Sequence, residues 1–518
     1  MAIYTISIDV YYRPFCFNWE YMEFQRKALV NEISILFLRY VNMKNRNLFL
    51  VIVLVAIVFF TSCMDDDSFT TSPSAVLTFE TDTVRMDTTF SNVPTTTRSF
   101  WIYNNSNAGL RLASVRLENG TSSGYRVNVN GSYMSASSNY RLYDIEIRKG
   151  DSIRVFVELT SATTGKEDPQ LVEDNLIFTL ESAKEHVVNL CGYSWDADLL
   201  DALHISQDTL ISSTRPIVLK HDIQIDSMAT LTLGAGTTVY FHQGAGISVN
   251  GALHVDGTAS HPVILRSDRL DNLFDYLPYD RTPGLWKGVI FNPGAQGCIE
   301  HLDLHSSYNG VYADSSTVTM GNSIIHNCQG AGLYAVNCKL DIVNSQFSNT
   351  LGNCVDINGG DVSFNHCTFA QFYPFSANRE YAFKFDESWK PFVKLHVRNS
   401  LITGYADDEM LGIPGSDSLK NCFFDYCIIR TPAITTNDSV RFTHIVYEDV
   451  SDTTMYGRKH FVLLDTSHMI YDFHLSEKSA AINAGDKSSG TSHDHDGTLR
   501  DSIPDIGAYE FVRKETEK

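Results

Sequence analysis

The 518-residue chain predicts an all-β protein: a single-stranded parallel β-helix preceded by a second β-module. Three observations predict the helix. Gly310-Val311-Tyr312 recurs as Gly332-Leu333-Tyr334 and again as Cys354-Val355-Asp356, at intervals of 22. Val318 and Met320 return at the same interval as Leu340 and Ile342, then as Val362 and Phe364. Asn322-Ser323-Ile324-Ile325 becomes Asn344-Ser345-Gln346-Phe347, then His366-Cys367-Thr368-Phe369. Each unit holds short apolar alternations separated by Asn, Gly, Ser or Asp, which read as short strands joined by turns. A period in the low twenties without a helical stretch means one coil of strands per repeat.

No single coil can bury its apolar face, but stacked coils bury a continuous core. Coils lie about 4.8 Å apart, so inward residues form columns. Val311, Leu333 and Val355 are expected in one, and Ile325, Phe347 and Phe369 in another. Asn322 and Asn344 mark a tight corner, because Asn tolerates left-handed backbone.

Composition narrows the function classes. Formal charge is −21, and residues 63–518 alone carry −23, which argues against a nucleic-acid partner, whose phosphates demand a basic surface. Aromatics make up 12%, a share that suits strands and carbohydrate contact. Ten cysteines include no CxxC pair and no metal-ligand spacing. Cys298, Cys354 and Cys367 sit at repeat positions and are expected as buried thiols, with one disulfide between neighbouring coils as the alternative.

Residues 1–42 differ from the rest and read either as a misassigned start or as a genuine extension. From Met43, Lys44 and Arg46 precede the unbroken apolar run Leu48 to Phe60, then Thr61-Ser62-Cys63. Residues 43–62 thus have the layout of a signal peptide, too short in its apolar part to span a bilayer comfortably. Cys63 after two small residues looks like a bacterial lipobox, which makes it the expected lipidation site and the membrane anchor. Asp65-Asp66-Asp67 behind it resembles the surface-export signal of Bacteroidetes-type lipoproteins; a solvated spacer is the plainer alternative. The expected location is therefore the outer membrane, lipid-anchored and facing outwards, with residues 63–74 as a tether.

Residues 75–192 change register. Phe100 and Ile102, Leu110 and Leu112, Val127 and Val129, Val155 and Val157, and Phe178 and Leu180 alternate between turns such as Asn119-Gly120 and Asn130-Gly131. Such short strands fit an antiparallel Ig-like β-sandwich, although no Cys…Trp…Cys core pattern is present. A spacer or docking role is expected there.

The helix is assigned to residues 195–518. Gly234 to Phe241, Gly251 to Thr258 and Trp286-Lys287-Gly288-Val289-Ile290-Phe291 resemble the opening coils of bacterial right-handed parallel β-helix repeat proteins of the pectate-lyase-like superfamily. Asp494-His495-Asp496-Gly497, Arg500 and Pro504 to Glu510 resemble their closing motif and are expected to cap the helix. The resemblance spans residues 215–511 and implies a right-handed helix and a lipoprotein setting. It implies no particular reaction, because that group mixes lyases, hydrolases and proteins without known activity.

Two inserts break the repeat, Asp268–Arg281 with Tyr276 and Tyr279, and Phe372–Trp389 with Tyr373, Arg379 and Trp389. Inserts in a solenoid emerge as loops, often on the binding face. Aromatic faces beside Asp, Glu and Arg suit a sugar; loops folded down with buried aromatics are the plainer reading. The repeat register puts Lys384 above Asp356, which extends an outward column of Tyr312 and Tyr334. These nine residues form the expected glycan surface, although an Asp–Lys ladder between coils is more commonly a cross-strand ion pair. Asp407, Asp408 and Glu409 are a weak candidate for Ca²⁺ through oxygen ligands, with a solvated turn as the alternative. His493 and His495 lack a third metal ligand. No catalytic residue is assigned, and no other cofactor is expected. The leading expectation is a monomeric surface lipoprotein that binds or presents polysaccharide without turnover; the rival is a β-helix polysaccharide lyase or glycosidase, which would need a base and carboxylates converging in one groove.

Overall fold

The computed structural model describes residues 68–513 except 121, 417, 436, 452–456 and 489–490. The chain divides into two units, Met1–Ser68 and Phe69–Lys518, and every strand described below belongs to the second. The expected extension 1–42, the signal peptide 43–62 and Cys63 lie outside the described residues.

The alternating segments near the start of this unit form two five-stranded sheets. One runs in the order Thr78–Phe79, Arg98–Tyr103, Ser152–Leu159, Tyr125–Val129, Ser132–Tyr133, and the other Thr83–Phe90, Glu185–Trp195, Gln170–Leu180, Leu110–Leu117, Arg141–Ile147. Phe100, Ile102, Val155 and Val157 of the first share one core with Leu112, Val115, Phe178 and Leu190 of the second. The expected antiparallel pattern needs a correction, because Glu185–Trp195 pairs with Thr83–Phe90 in parallel. Side-chain alternation is the same for either strand direction, so it reveals faces and not polarity. The last strand also runs past the expected boundary at 192 to Trp195. Trp195 packs there with Phe90 and Tyr240 in a small apolar cluster that joins this module to the coils.

The remainder is a parallel β-helix. Each coil visits three faces, exemplified by Val311–Asp314, Thr317–Gly321 and Ile324–His326, here the first, second and third. The third forms an eleven-stranded parallel sheet among the described residues. The first and second merge into one sheet because Leu333–Val343 and Val355–Asn365 run through both. The expected columns are present: Val311, Leu333 and Val355 pair in register, as do Ile325, Phe347 and Phe369. All six are buried. Phe364, Phe369 and Phe383 contribute rings from three faces to the middle of the core, with centroids 5.0–5.6 Å apart.

From His301 onward, one left-handed residue turns each coil from the second face to the third. Successive coils use His301, Asn322, Asn344, His366, Asn399, Tyr426 and His444, with φ between 45° and 53°. Asn tolerates this region best, because its short side chain bonds locally and offsets the steric cost. The expectation at Asn322 and Asn344 holds, and Asn344 Nδ2 donates to Asn322 Oδ1 at 3.2 Å.

Eight cysteines are free among the described residues, and six are buried in the coils. Cys298 departs from the expectation and is exposed, because it alternates with inward Gly297 and Ile299.

The parallel ladder starts at Asp198–Leu200 and ends at Val446–Tyr447. Beyond it, Phe461–Asp465 and Ile470–Leu475 form an antiparallel hairpin, followed by a strap, residues 476–513, whose described residues form no strand. Hairpin and strap do not cap the end of the helix, as expected, but fold back along the third face. Phe461, Phe473, Leu475, Ile506, Ala508 and Tyr509 pack with Ala370, Phe372, Leu401 and Ile428 of the coils. The motif that resembled a closing cap is the fastening. Buried Arg500 pairs with Glu510 at 3.0 Å and donates to the carbonyls of Gly507 and Ala508 and to Asn344 Oδ1. Asp494 accepts from the amides of Asp496, Thr498 and Glu510, so its carboxylate is spent on the local turn.

Candidate functional site

The outward column of the first face has the expected register. Tyr312 and Tyr334 stack with centroids 5.3 Å apart and planes 9° from parallel, and both are half-buried. Lys384 Nζ donates to Asp356 Oδ2 at 3.0 Å. Burial works against the ammonium charge, but the bond to Asp356 and the charges of Asp356, Asp386 and Glu380 together outweigh it and hold the Lys384 pKa above its ordinary value. Asp356 is buried and also accepts from Asn353 and Asn358. The pair is fully engaged within the protein.

The two inserts emerge at the same corner, after the third-face strands Val263–Ser267 and Thr368–Gln371. Leu277 of the first and Tyr373 of the second meet in an apolar cluster with Met469 of the hairpin tip. Tyr373 is therefore buried instead of exposed, because the later hairpin covers it. Tyr276 is exposed, stacked on Phe274 and edge-on to His468. Tyr279 is half-buried beneath the Arg269 guanidinium, 3.7 Å from its ring centroid. Arg379 lies over the Tyr405 ring and donates to the Ser376 carbonyl. Trp389 is 70% exposed but follows the first-face strand Phe383–Asp386 and projects from the next corner. Asp356 and Tyr373 are thus buried and the other seven residues lie in separate places, so the single glycan surface drawn from the nine does not assemble.

The acidic triplet does not converge either. Asp407 faces Arg430 at 3.7 Å, and Asp408 accepts from the amide of Met410. Glu409 is fully buried and accepts from the amides of Ala406 and Ala382, and burial pushes its carboxyl up to about 8. A Ca²⁺ site needs several oxygens around one point, and these carboxylates are committed elsewhere. Likewise Lys384, Arg379 and Asp407 have different partners and form no common groove.

A different arrangement stands out over the third face. The outer sides of Leu302–His305, Ile324–His326 and Gln346–Ser348 form a floor, and the hairpin and Tyr509 of the strap stand over it. The cleft between them has a volume of about 580 Å³, within the range of small-ligand sites. Its lining combines Asp280, Asp303, His305, His326 and His474 with Asn327, Asn349, Ser348 and the rings of Tyr471 and Tyr509.

His305 is the centre of the floor. Its Nδ1 bonds Asp303 Oδ1 at 2.8 Å, and its Nε2 bonds Asp280 Oδ1 at 2.8 Å. Burial opposes the imidazolium, but the two carboxylates prevail and raise its pKa to about 9. Burial also opposes the Asp280 charge; the His305 bond and Arg266, 2.7 Å away, overcome it and lower the carboxyl to about 2. Burial opposes the Asp303 charge as well, but His305 and His326, whose Nε2 is 3.3 Å from its Oδ1, together hold the carboxyl well below the usual carboxylate range. Across the cleft, His474 stands between Asp496, at 2.7 Å, and Asp472, at 2.6 Å, which lift it to about 9.

Sequence reasoning missed this group. Its signal was present in part: His305 and His326 pair directly, immediately after Leu304 and Ile325 of an inward column. Asp280 lies inside the first insert, at its return to the coil. Nothing in the repeat announced that the hairpin would fold over them.

No protein-family model and no curated protein matches this sequence. Among solved structures, a protein of unknown function from Porphyromonas gingivalis W83 is similar over 25% of this chain, at 12% identity and a TM-score of 0.17. A family 123 glycoside hydrolase from Clostridium perfringens, studied for glycolipid glycan hydrolysis, is similar over 24% of this chain, at 10% identity and a TM-score of 0.16. This chain covers half of the first protein and 26% of the second. Likenesses this slight carry no argument about fold or activity.

Proposed function

We propose that this chain is a lipid-anchored outer-membrane surface protein of the Bacteroidetes type whose β-helix binds a saccharide in the third-face cleft without cleaving it. The observation that carries the binding reading is the lining of the cleft. The carboxylates of Asp280 and Asp303 accept hydrogen bonds, the side-chain amides of Asn327 and Asn349 donate and accept them, and the half-buried Tyr471 ring offers an apolar face. A polyhydroxylated ring needs that mixture. The strongly acidic chain favours a neutral glycan over a polyanionic one.

The absence of turnover is inferred from the state of the acids. A glycosidase needs one carboxyl kept protonated as general acid. Asp280 and Asp303, the carboxyls on the cleft floor, are both bonded to His305, with Arg266 beside the first and His326 beside the second, partners that favour the charged form. The anchor is inferred from the sequence alone, from Cys63 and the apolar run before it.

The test is incubation with a panel of neutral and acidic polysaccharides, read by electrophoretic retardation and by absorbance of unsaturated products. Retardation by a neutral glycan without product formation supports the reading. Unsaturated or shortened products would replace it with the lyase or glycosidase alternative. For the anchor, Cys63→Ala should release the protein from the outer-membrane fraction; unchanged fractionation would refute lipidation at Cys63.

A further inference from the structure

We propose that Asp303, His305 and His326 on the cleft floor bind a divalent transition-metal ion of the zinc class. Their ligand atoms already lie within 4.8 Å of one another. Asp303 Oδ1 is 2.8 Å from His305 Nδ1 and 3.3 Å from His326 Nε2. Tetrahedral Zn²⁺ with bonds of about 2.0–2.2 Å sets its ligand atoms roughly 3.4 Å apart, so small side-chain adjustments suffice.

The coil register makes the group a built feature of the fold. His305 and His326 occupy paired positions of adjacent third-face strands, and Asp303 sits two residues before His305 on the same outer side. Two imidazoles and one carboxylate favour Zn²⁺, Co²⁺ or Ni²⁺ over Ca²⁺ or Mg²⁺, which prefer oxygen donors.

The surroundings of His305 carry the proposal beyond a chance cluster. When the metal takes Nδ1 and its proton leaves to solvent, Nε2–H donates to Asp280 Oδ1, and Asp280 is held in turn by Arg266. A metal-bound imidazole whose other nitrogen is fixed by a carboxylate is the recurring outer arrangement of such sites, because it sets the tautomer and the ring orientation. Three protein ligands leave the fourth position to the cleft, where a water or a ligand hydroxyl completes the coordination. The rival explanation is an ion-pair ladder across adjacent strands that needs no metal.

The inference goes beyond the saccharide reading and is tested with metal alone. The metal-stripped protein is titrated calorimetrically with Zn²⁺, and a parallel sample is loaded with Co²⁺ and read by its visible absorption. One Zn²⁺ per chain is expected, with Co²⁺ bands typical of a low-coordinate nitrogen–oxygen site. The Asp303→Asn/His326→Ala variant should lose both, and Asp280→Asn should weaken Zn²⁺ binding about 10- to 100-fold while keeping the stoichiometry. Should the double variant fail to fold, His326→Gln, on the outer side of the sheet, takes its place with the same expected loss. No Zn²⁺ uptake by the unmodified protein, or uptake that survives these substitutions, would overturn the proposal.

Discussion

Arg500 Nη2 donates to Asn344 Oδ1 at 3.0 Å, although 156 residues separate them. Asn344 is one of the left-handed corner residues, so the strap is fastened to the feature that makes the coil turn. The roof of the cleft depends on that fastening. Arg500→Ala leaves the Glu510 carboxylate buried without its partner, and a lone buried charge costs roughly 3–5 kcal/mol. The expected outcome is a lower melting temperature and rapid proteolysis of the strap, while the coils stay protected. A variant as resistant as the parent would show that the strap is held by other means.

The stacked columns predict a contrast between the two sides of a strand. Phe347 is fully buried between Ile325 and Phe369, whereas Tyr312 stands on the outer side of the first face. Phe347→Ala should cost about 3–5 kcal/mol of unfolding free energy, and Tyr312→Ala about 1 kcal/mol or less. Denaturant melts of the two variants decide it, and equal losses would contradict the register.

The cysteines report burial chemically. Burial pushes Cys328, Cys354, Cys367, Cys422 and Cys427 up to about 12, while Cys298 is exposed. Alkylation of the native protein near pH 8, followed by peptide mass mapping, should modify Cys298 and leave these five intact until unfolding. Modification of Cys354 as fast as Cys298 would contradict the packing of the coils.

His474 makes the hairpin–strap contact sensitive to alkaline pH. The groups around it are Asp472 on its own strand, Asp496 of the strap and the Tyr509 ring, 4.3 Å away. Its folded pKa of about 9 lies above the ordinary value of 6.5. The contribution is therefore complete below about pH 6.5 and disappears as pH rises through 9. Hydrogen exchange in Ile470–Leu475 should quicken over that interval relative to the coils, after correction for the intrinsic rate, and His474→Gln should remove the extra dependence. An identical relative profile in the variant would exclude His474 as the cause.

The sequence disclosed the coils because a 22-residue repeat writes the core directly: Val311, Leu333 and Val355 had to stack once one period was accepted. The Asp356–Lys384 pair was legible too, although the second insert lengthens that coil. An insert at a corner displaces the next strand along the chain without changing its register. Tyr373 shows where such reasoning stops. An aromatic residue in a loop is exposed or buried according to what covers it, and its cover is Met469, in a hairpin with no place in the repeat. Trp389 was assigned to the wrong corner because the insert was bounded at Trp389, past the strand Phe383–Asp386 that the register of Lys384 already marks. His305 and His326 were readable as neighbours but not as a site, since outward histidines on a strand ordinarily face solvent. Only the folded-back strap turns that part of the surface into a cleft.

Whether the third-face cleft is the binding site can be decided at Ile324. This residue lies on the cleft floor, between Asp303 and Gln346 of the neighbouring coils, and its side chain faces away from the core. Ile324→Trp fills the cleft without entering the columns. Retardation by a bound neutral glycan should vanish in Ile324→Trp and persist unchanged in Trp389→Ala. Retention of binding by Ile324→Trp, with loss in Trp389→Ala, would rule the cleft out and move the site to the exposed aromatic corner.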